Sequence, residues 1–277
     1  MVGIFFAFFL NKIYTNSAEE PIGIFDSGLG GLSICKEIVK ALPNESFIYL
    51  ADSDNAPYGE KSAQEIIDLS NKNTKILLSA GCKAIVVACN TATTNAISIL
   101  RASYNVPFIG IEPATKPAAL QTKSGKIGVL ATKGTLKSDL FISTSNQFRG
   151  HLEIVEAEGE NLVRLIEKGE IEATIPLLEK YLSPMIEQGV DNIVLGCTHY
   201  PFLIPIIRTL IPKDIVIVDA GEAVARQIFK VLKSEGLLNE STDAVTRDFY
   251  TNKNHQLLSE FVERIDLNAS SIGLKTF

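Results

Sequence analysis

The chain has 277 residues, of which 46% are hydrophobic and 21% charged, and its formal net charge at pH 7 is −6. This length and composition are those of a globular protein with one large domain or two smaller ones. The acidic balance and the lack of any Lys/Arg run predict no nucleic-acid partner. A small acidic substrate is not excluded, because local dipoles override net charge.

The apolar segment VGIFFAFFL at residues 2–10 is too short to span a bilayer. Two interpretations are open: the core of a signal peptide cleaved near Asn16-Ser17-Ala18, or an extension outside the fold. No Lys or Arg precedes the segment, which weighs against a signal peptide. We therefore expect residues 1–20 to be an N-terminal extension, the organised chain to begin at Pro21, and no membrane partner.

Short apolar runs alternate with helical patterns, which predicts parallel β-sheet covered by helices on both faces. In the first half we predict strands at 22–25, 47–52, 84–89 and 106–114, with helices at 32–42, around 66–77 and at 90–104. In the second half we predict strands at 126–132, 151–158, 192–197 and 214–221, with helices at 161–170 and 252–267.

The pattern of the first half restarts in the second. AIVVAC at 84–89 corresponds to NIVLGC at 192–197, and in both cases a glycine lies eight residues before the cysteine. The two cysteines are 108 residues apart, and the pairs Ile22-Gly23 and Ile127-Gly128 are 105 apart. We therefore predict an α/β fold of two similar parallel-sheet units related by pseudo-symmetry. Each unit carries a cysteine at the carboxyl end of a strand, where ligands bind in open sheets.

The four cysteines include no CxxC pair and are too few for a disulfide framework, so we expect reduced thiols. With only three histidines and no metal-ligand spacing, we predict no metal site. Cys89 and Cys197 each precede a probable helix start, whose dipole favours a thiolate. Cys35 and Cys82 lack polar clusters and are interpreted as packing residues.

Two matched cysteines on facing units suit the inversion of a carbon centre. One group removes a proton from one face, the other returns a proton to the opposite face, and a cysteine pKa of about 8.5 can be tuned toward neutrality. Asp26, which ends a buried strand, and His199, two residues after Cys197, are candidate partners of the thiols. A small zwitterion with an extra carboxylate would be held by backbone N–H groups at helix starts and in the glycine turn and by polar side chains, namely Ser27, Asn90, Thr91, Thr94 and Thr198.

Four motifs, DSGLGG (26–31), APYG (56–59), VACNTA (87–92) and LGCTHYP (195–201), resemble in order and spacing those of the glutamate racemases. These are bacterial enzymes that need no cofactor and supply D-glutamate for peptidoglycan. The resemblance extends from residue 21 to near the C-terminus. It implies that Cys89 and Cys197 donate and accept protons, assisted by Asp26, His199 and Glu167, without pyridoxal phosphate. Arg164 stands where the family usually has a proline.

The resemblance also implies which residues bind the substrate: Asp26, Ser27, Pro57, Tyr58, Gly59, Asn90, Thr91, Thr132, Thr135, Thr198 and His199. It implies a first α/β domain of residues 21–113 with 221–277, a second of residues 114–220, and an active site between them. The loop around Tyr58 is expected to order over the bound amino acid. A cytoplasmic homodimer is expected.

Other functions are open to the same residues. GLGGLS at 28–33 with Asp52 faintly resembles a dinucleotide-binding fingerprint, but Ser33 replaces the third small residue and Asp26 would repel a pyrophosphate. A hydrolase using Cys197 and His199 would leave the matching Cys89 unexplained. An aspartate racemase or related isomerase would share the fold, and a non-catalytic binding protein is the remaining alternative.

Overall fold

The computed structural model describes residues 17–148, 150, 152–241 and 243–277. The prediction made for the apolar segment at residues 2–10 lies outside this range. Among the described residues, the helices are either too short or too polar to cross a membrane.

The described part of the chain alternates strands with helices. The strands are β1 (Ile22–Asp26), β2 (Phe47–Ala51), β3 (Ala84–Val87), β4 (Phe108–Gly110), β5 (Lys126–Ala131), β6 (Glu153–Glu158), β7 (Asn192–Gly196), β8 (Val216–Val218), β9 (Arg247–Thr251) and β10 (Ser271–Leu274). The helices are α1 (Leu32–Ala41), α2 (Ala63–Ser79), α3 (Asn90–Ser103), α4 (Thr115–Gln121), α5 (Lys133–Leu136), α6 (Asp139–Asn146), α7 (Leu162–Ile166), α8 (Ile175–Glu187), α9 (Ile204–Leu210), α10 (Gly221–Ser234) and α11 (His255–Arg264).

The strands form two sheets in which every pairing is parallel. The first sheet has the order β10-β9-β2-β1-β3-β4, and the second has the order β6-β5-β7-β8. The four strands β2-β1-β3-β4 thus repeat in space as β6-β5-β7-β8. The predicted fold class, two similar parallel-sheet α/β units, is confirmed.

The residue types along the chain explain the burial of the central strands and the start of helix α2. All five residues of β1 and of β7 are buried, as expected for parallel strands covered by helices on both faces. The helix α2 begins at a capping box, in which the Ser62 side chain accepts from the Glu65 N–H and the Glu65 carboxylate accepts from the Ser62 N–H. The apolar runs of β1 and β7 and the capping box of α2 therefore agree with the observed structure.

The C-terminal segment returns to the first sheet. Strand β9 pairs with β2, and β10 pairs with β9. Helix α10 packs on α1, and α11 packs on β9 and β10. Neither β9 nor β10 was among the strands predicted from the sequence. Because the C-terminal segment returns to the first sheet, we propose that the chain divides into a first domain of residues 21–113 with 221–277 and a second domain of residues 114–220.

Candidate active site

The two matched cysteines occupy equivalent positions in the two sheets. Cys89 lies just after β3 and caps the N-terminus of α3, and Cys197 directly follows β7. They are only 5% and 7% exposed. Both line one cavity, so the carboxyl ends of the two sheets meet at a single site.

This reaction cavity lies between the two units and is nearly closed. Its volume is about 10 Å³, roughly the space that one water molecule needs. The residues that line it are Ser27, Pro57, Tyr58, Gly59, Cys89, Asn90, Thr91, Thr132, Val163, Cys197, Thr198 and His199. A small organic substrate does not fit into this cavity as it stands, so its walls must move before the substrate can bind.

Eleven of the residues predicted for the site line this cavity, and three lie behind its wall. Asp26 accepts a hydrogen bond from Thr198. Glu167 contacts His199, and Thr135 contacts Thr91 and Thr132. Val163 lines the cavity but was missed by sequence reasoning, because an apolar residue in a helical pattern looks like an ordinary core residue.

Cys89 is buried, and Asp26 is the charged residue that acts most on it. Its Sγ donates to Ser27 Oγ at 3.6 Å and accepts from the Ala92 N–H at 3.5 Å. Burial raises the pKa of the Cys89 thiol well above its usual value, and the charge of Asp26 adds to this. The Ala92 N–H favours the thiolate, as predicted for a helix start, but desolvation outweighs it in the closed, ligand-free site.

Cys197 has a cationic partner instead. Its Sγ lies 3.7 Å from Nδ1 of His199, and Nε2 of His199 lies 2.6 Å from Oε1 of Glu167. Burial lowers the pKa of His199, but the hydrogen bonds to Cys197 and Glu167 outweigh burial, and the pKa is raised well above 6.5. The Gly30 N–H also points at Nε2, at 3.2 Å. Because a carboxylate only accepts and its contact is the shorter, we assign a proton to Nε2.

Asp26 connects the two units beneath the cavity. Its Oδ2 accepts from the Gly31 N–H at 2.8 Å, and its Oδ1 lies 3.5 Å from the hydroxyls of Ser27 and Thr198. Burial raises the pKa of this carboxyl to about 6, against the opposing effect of His199. Asp26 therefore changes charge near neutral pH, and its charge acts on Cys89.

The N–H groups of the glycine turn face side chains of the site. The N–H of Leu29 donates to Oε1 of Glu167 at 2.5 Å, and that of Gly31 donates to Oδ2 of Asp26 at 2.8 Å. These two amides hold side chains in place in the ligand-free structure, and the binding of an anion by the glycine turn stays a prediction.

Uncharged polar side chains from both units form another part of the wall. The Oγ1 atoms of Thr91 and Thr132 are 2.9 Å apart, and that of Thr135 lies 3.3 Å and 3.1 Å from them. Asn90 is 3% exposed, and neither its Oδ1 nor its Nδ2 has a hydrogen-bond partner among the described residues. A buried unpaired amide is costly, which indicates that Asn90 is kept for a ligand.

Tyr58 is fixed by a residue that sequence reasoning did not assign to the site. Its hydroxyl donates to Oδ2 of the buried Asp52 at 2.5 Å. Asn55 and Asn252 donate to the other oxygen of Asp52, at 2.8 Å and 2.6 Å. Burial, then Asp52, raises the pKa of Tyr58 well above 10, so the phenol stays protonated and keeps its bond. Asp52 therefore anchors the Pro57–Gly59 wall.

Fold and site together define a class of protein: a two-unit parallel α/β enzyme with two thiols on one closed cavity at the junction of its sheets. No cluster of metal-ligating side chains occurs among the residues that the structure describes.

Comparison with known proteins identifies the family. The model of the Asp/Glu/Hydantoin racemase family matches residues 22–228. The glutamate racemase of Ectopseudomonas mendocina is 46% identical over 84% of this chain and 89% of its own length. That of Pseudomonas aeruginosa is 46% identical over 89% of this chain and 92% of its own. The chain belongs to the Asp/Glu/Hydantoin racemase family and is an isomerase, which confirms the resemblance predicted from its motifs.

Solved structures agree with the sequence comparison. A glutamate racemase isoform from Bacillus anthracis superposes with a TM-score of 0.82 at 29% identity, covering 94% of this chain and 98% of its own. A glutamate racemase from Francisella tularensis, solved in complex with D-glutamate, gives 0.80 at 28% identity with the same coverage.

Proposed function

We propose that this chain interconverts L- and D-glutamate by moving the α-proton between Cys89 and Cys197, without a cofactor. The observation that carries the proposal is that both Sγ atoms line one cavity, each at the carboxyl end of the equivalent strand. A single base does not easily reach both faces of a carbon, whereas two thiols from two facing units do.

The two sulfur atoms lie in different environments, and each has its own role in the reaction. One Sγ takes the α-hydrogen as a proton, leaving the electron pair of the C–H bond on carbon, and the other thiol gives its proton to the opposite face. His199 lies beside Cys197, at 3.7 Å from its Sγ, while burial and Asp26 raise the pKa of Cys89. On this geometry we assign Cys197 as the base and Cys89 as the acid for one enantiomer, with the roles exchanged for the opposite enantiomer.

Substrate binding is assigned to the uncharged polar wall. The free amide of Asn90 can both donate to a carboxylate and accept from an ammonium group, and the hydroxyls of Thr91, Thr132 and Thr198 add further donors. Such a lining suits a small zwitterion. The named ligands of structural relatives support glutamate: D-glutamate in the Francisella tularensis enzyme and L-glutamate in that of Escherichia coli, whose TM-score is 0.80.

The closed cavity supplies the electrostatic conditions. When the walls close over the bound substrate, fixed hydrogen-bond donors replace solvent around it, which strengthens their effect on a developing negative charge. Tyr58 and Gly59, held by Asp52, form part of the wall that would order over the bound amino acid.

The cellular role and assembly follow from the family resemblance. We propose that the product D-glutamate is used for peptidoglycan, and hence for cell wall and cell shape, and that the enzyme works in the cytoplasm. We also propose a homodimer. Support for an interface comes from exposed apolar side chains on the neighbouring helices α3, α4 and α6, namely Ile99, Leu120 and Ile142.

The test is a chirality assay with purified, reduced protein. In D₂O, L-glutamate should lose optical activity and gain deuterium at the α-carbon, with no release of hydrolysis products. Racemisation of aspartate but not of glutamate would select the aspartate racemase. Hydrolysis without α-exchange would reject proton transfer altogether.

A further inference from the structure

A second, larger cleft lies outside the reaction cavity. Its volume is about 400 Å³, and it is lined from both units, by Pro57, Gly59, Glu60, Thr132, Lys133, Glu158, Gly159, Glu160, Asn161, Val163 and Arg164. Four of these residues, Pro57, Gly59, Thr132 and Val163, also line the reaction cavity. The outer cleft is therefore separated from the thiols only by a thin wall built from both units.

The wall is closely packed where the units meet. A Cβ added at Gly59 would lie 2.9 Å from Cβ of Thr132, and one added at Gly134 would lie 3.1 Å from Cα of Gly59. The loop that carries Gly59 thus rests directly on the start of α5. A substrate that reaches the thiols from the outer cleft must separate these two loops.

An ion pair crosses the outer cleft at this junction. Nε of Arg164 donates to Oε1 of Glu60 at 2.9 Å, and Nη2 of Arg164 also bonds Oε2. The two residues are 104 positions apart, Glu60 next to Gly59 and Arg164 next to Val163. Each partner is therefore one residue away from a wall residue of the reaction cavity. The hydrogen bond from Arg164 lowers the pKa of Glu60, which keeps the pair charged at neutral pH.

We propose that the Glu60–Arg164 ion pair is a latch that holds the two units closed over Cys89 and Cys197. Breaking the pair favours the open state that admits substrate. Its consequence for turnover rests on the proposed function, but the latch itself is a property of the closed structure. Because both side chains are about half exposed, the pair shifts the equilibrium between open and closed states by a modest factor, about 1.5- to 5-fold, and salt weakens it.

The test uses the thiols as reporters and needs no substrate. Cys89 and Cys197 are nearly inaccessible in the closed state, so their rate of alkylation by neutral iodoacetamide measures opening. Peptide mass spectrometry follows each cysteine separately. Cys35 and Cys82, buried elsewhere in the core, report global unfolding in the same sample.

The variants are Glu60→Gln, Arg164→Gln and the charge swap Glu60→Arg with Arg164→Glu. Glu222→Gln, which removes an exposed ion pair to Arg226 within α10, is the matched control. Both single latch variants should label Cys89 and Cys197 about 1.5- to 5-fold faster, the charge swap should return toward the original rate, and the control should not change. High salt should accelerate labelling of the original protein but not of the single variants.

The direction in which the labelling rate changes in the two single variants distinguishes a latch from a simple change in local electrostatic potential. Removing a negative and removing a positive charge shift the reactivity of a nearby thiol in opposite directions, whereas both open a latch. Opposite changes, unchanged labelling in both variants, or a charge swap no better than the single variants would overturn the proposal. If the variants change labelling as expected but the original protein does not racemise glutamate, the proposed function is rejected and the latch is retained.

Discussion

Nε2 of His199 lies 2.6 Å from Oε1 of Glu167, while Nδ1 of the same ring lies 3.7 Å from Sγ of Cys197. The imidazole thus links a carboxylate to a thiol. Its folded pKa is raised well above the ordinary value of 6.5. The stabilisation from this protonated ring is fully present below pH 6.5 and is lost as the pH rises through the folded pKa of His199.

Glu167→Gln should lower the pH at which the stabilisation by protonated His199 is lost. The substitution removes a negative neighbour that raises the pKa of His199, so the ring loses its proton at lower pH in the folded protein. The alkaline limb of the pH–rate profile should shift in the same direction. Racemisation rates and thermal midpoints measured from pH 6.5 upward check both effects.

Glu170→Gln is the matched control for Glu167→Gln, because Glu170 is exposed and lies three residues further along the chain. It should leave the pH–rate profile unchanged. An unshifted alkaline limb in Glu167→Gln would show that the carboxylate does not set the protonation of His199.

Cys89→Ala and Cys197→Ala should each reduce racemisation of glutamate by about 10²- to 10⁴-fold, the usual contribution of acid–base groups. Each variant retains one sulfur and so reaches one face of the α-carbon. Residual exchange of the α-hydrogen should therefore be confined to one enantiomer, and to opposite enantiomers in the two variants. Proton NMR in D₂O, starting from pure L- or D-glutamate, measures this.

Cys35→Ala and Cys82→Ala serve as controls for the loss of a buried thiol. Both residues pack in the core away from the reaction cavity, and their removal should cost about 1 kcal/mol of stability with little effect on turnover. Near-normal racemisation in both directions by either active-site variant would refute the two-thiol mechanism.

Strands were predictable from the sequence where apolar residues follow one another along the chain. The eight predicted strands correspond to β1–β8, and the repeat around the two cysteines gave the equivalence of β3 and β7. Strands β9 and β10 were missed for a physical reason. In β9 only alternate residues are buried and two of its five residues are charged. In β10 the two apolar side chains, Ile272 and Leu274, are separated by Gly273, so neither strand shows a continuous apolar run.

The identity of the site residues was predictable, but their environment was not. Sequence motifs named Cys89, Asn90 and His199, whereas the raised pKa of Cys89 depends on how completely the folded chain excludes water. The amide of Leu29 bonds a side chain distant in sequence, that of Glu167, 138 positions away. Such pairings exist only after the two units meet.

Asn90→Ala should weaken substrate binding without destabilising the protein. Because the Asn90 amide has no partner among the described residues, its removal breaks no hydrogen bond in the ligand-free state. A lost bond to a charged substrate group should raise KM for glutamate by about 10- to 100-fold. Steady-state chirality assays and thermal unfolding of the same samples provide the two measurements.

Asn95→Ala is the comparison for Asn90→Ala, since Asn95 lies on the same helix and donates to the Thr91 carbonyl at 2.8 Å. It should lower the thermal midpoint and change KM less than Asn90→Ala does. A clear loss of stability in Asn90→Ala, with KM unaltered, would mean that the amide serves the fold and not the ligand.

Asp26→Asn should stabilise the folded protein at neutral pH while lowering its activity. The folded pKa of Asp26 is about 6, above its ordinary value of 3.8. A raised carboxyl pKa stabilises the fold below pH 3.8, and this contribution is lost as the pH rises through 6, at a total cost of about 3 kcal/mol. An asparagine escapes that cost because it carries no charge, and it can still accept from the Gly31 N–H.

The stability advantage of Asp26→Asn over the original protein should therefore be absent near pH 4, grow between pH 4 and 6, and stay constant at higher pH. Urea unfolding at several pH values measures it, with the exposed Asp214→Asn as a control that should show no such trend. Turnover should fall, because the variant cannot place a negative charge near Cys89 and His199. A pH-independent difference in stability would show that Asp26 is ionised at little cost, and that its burial does not govern its titration.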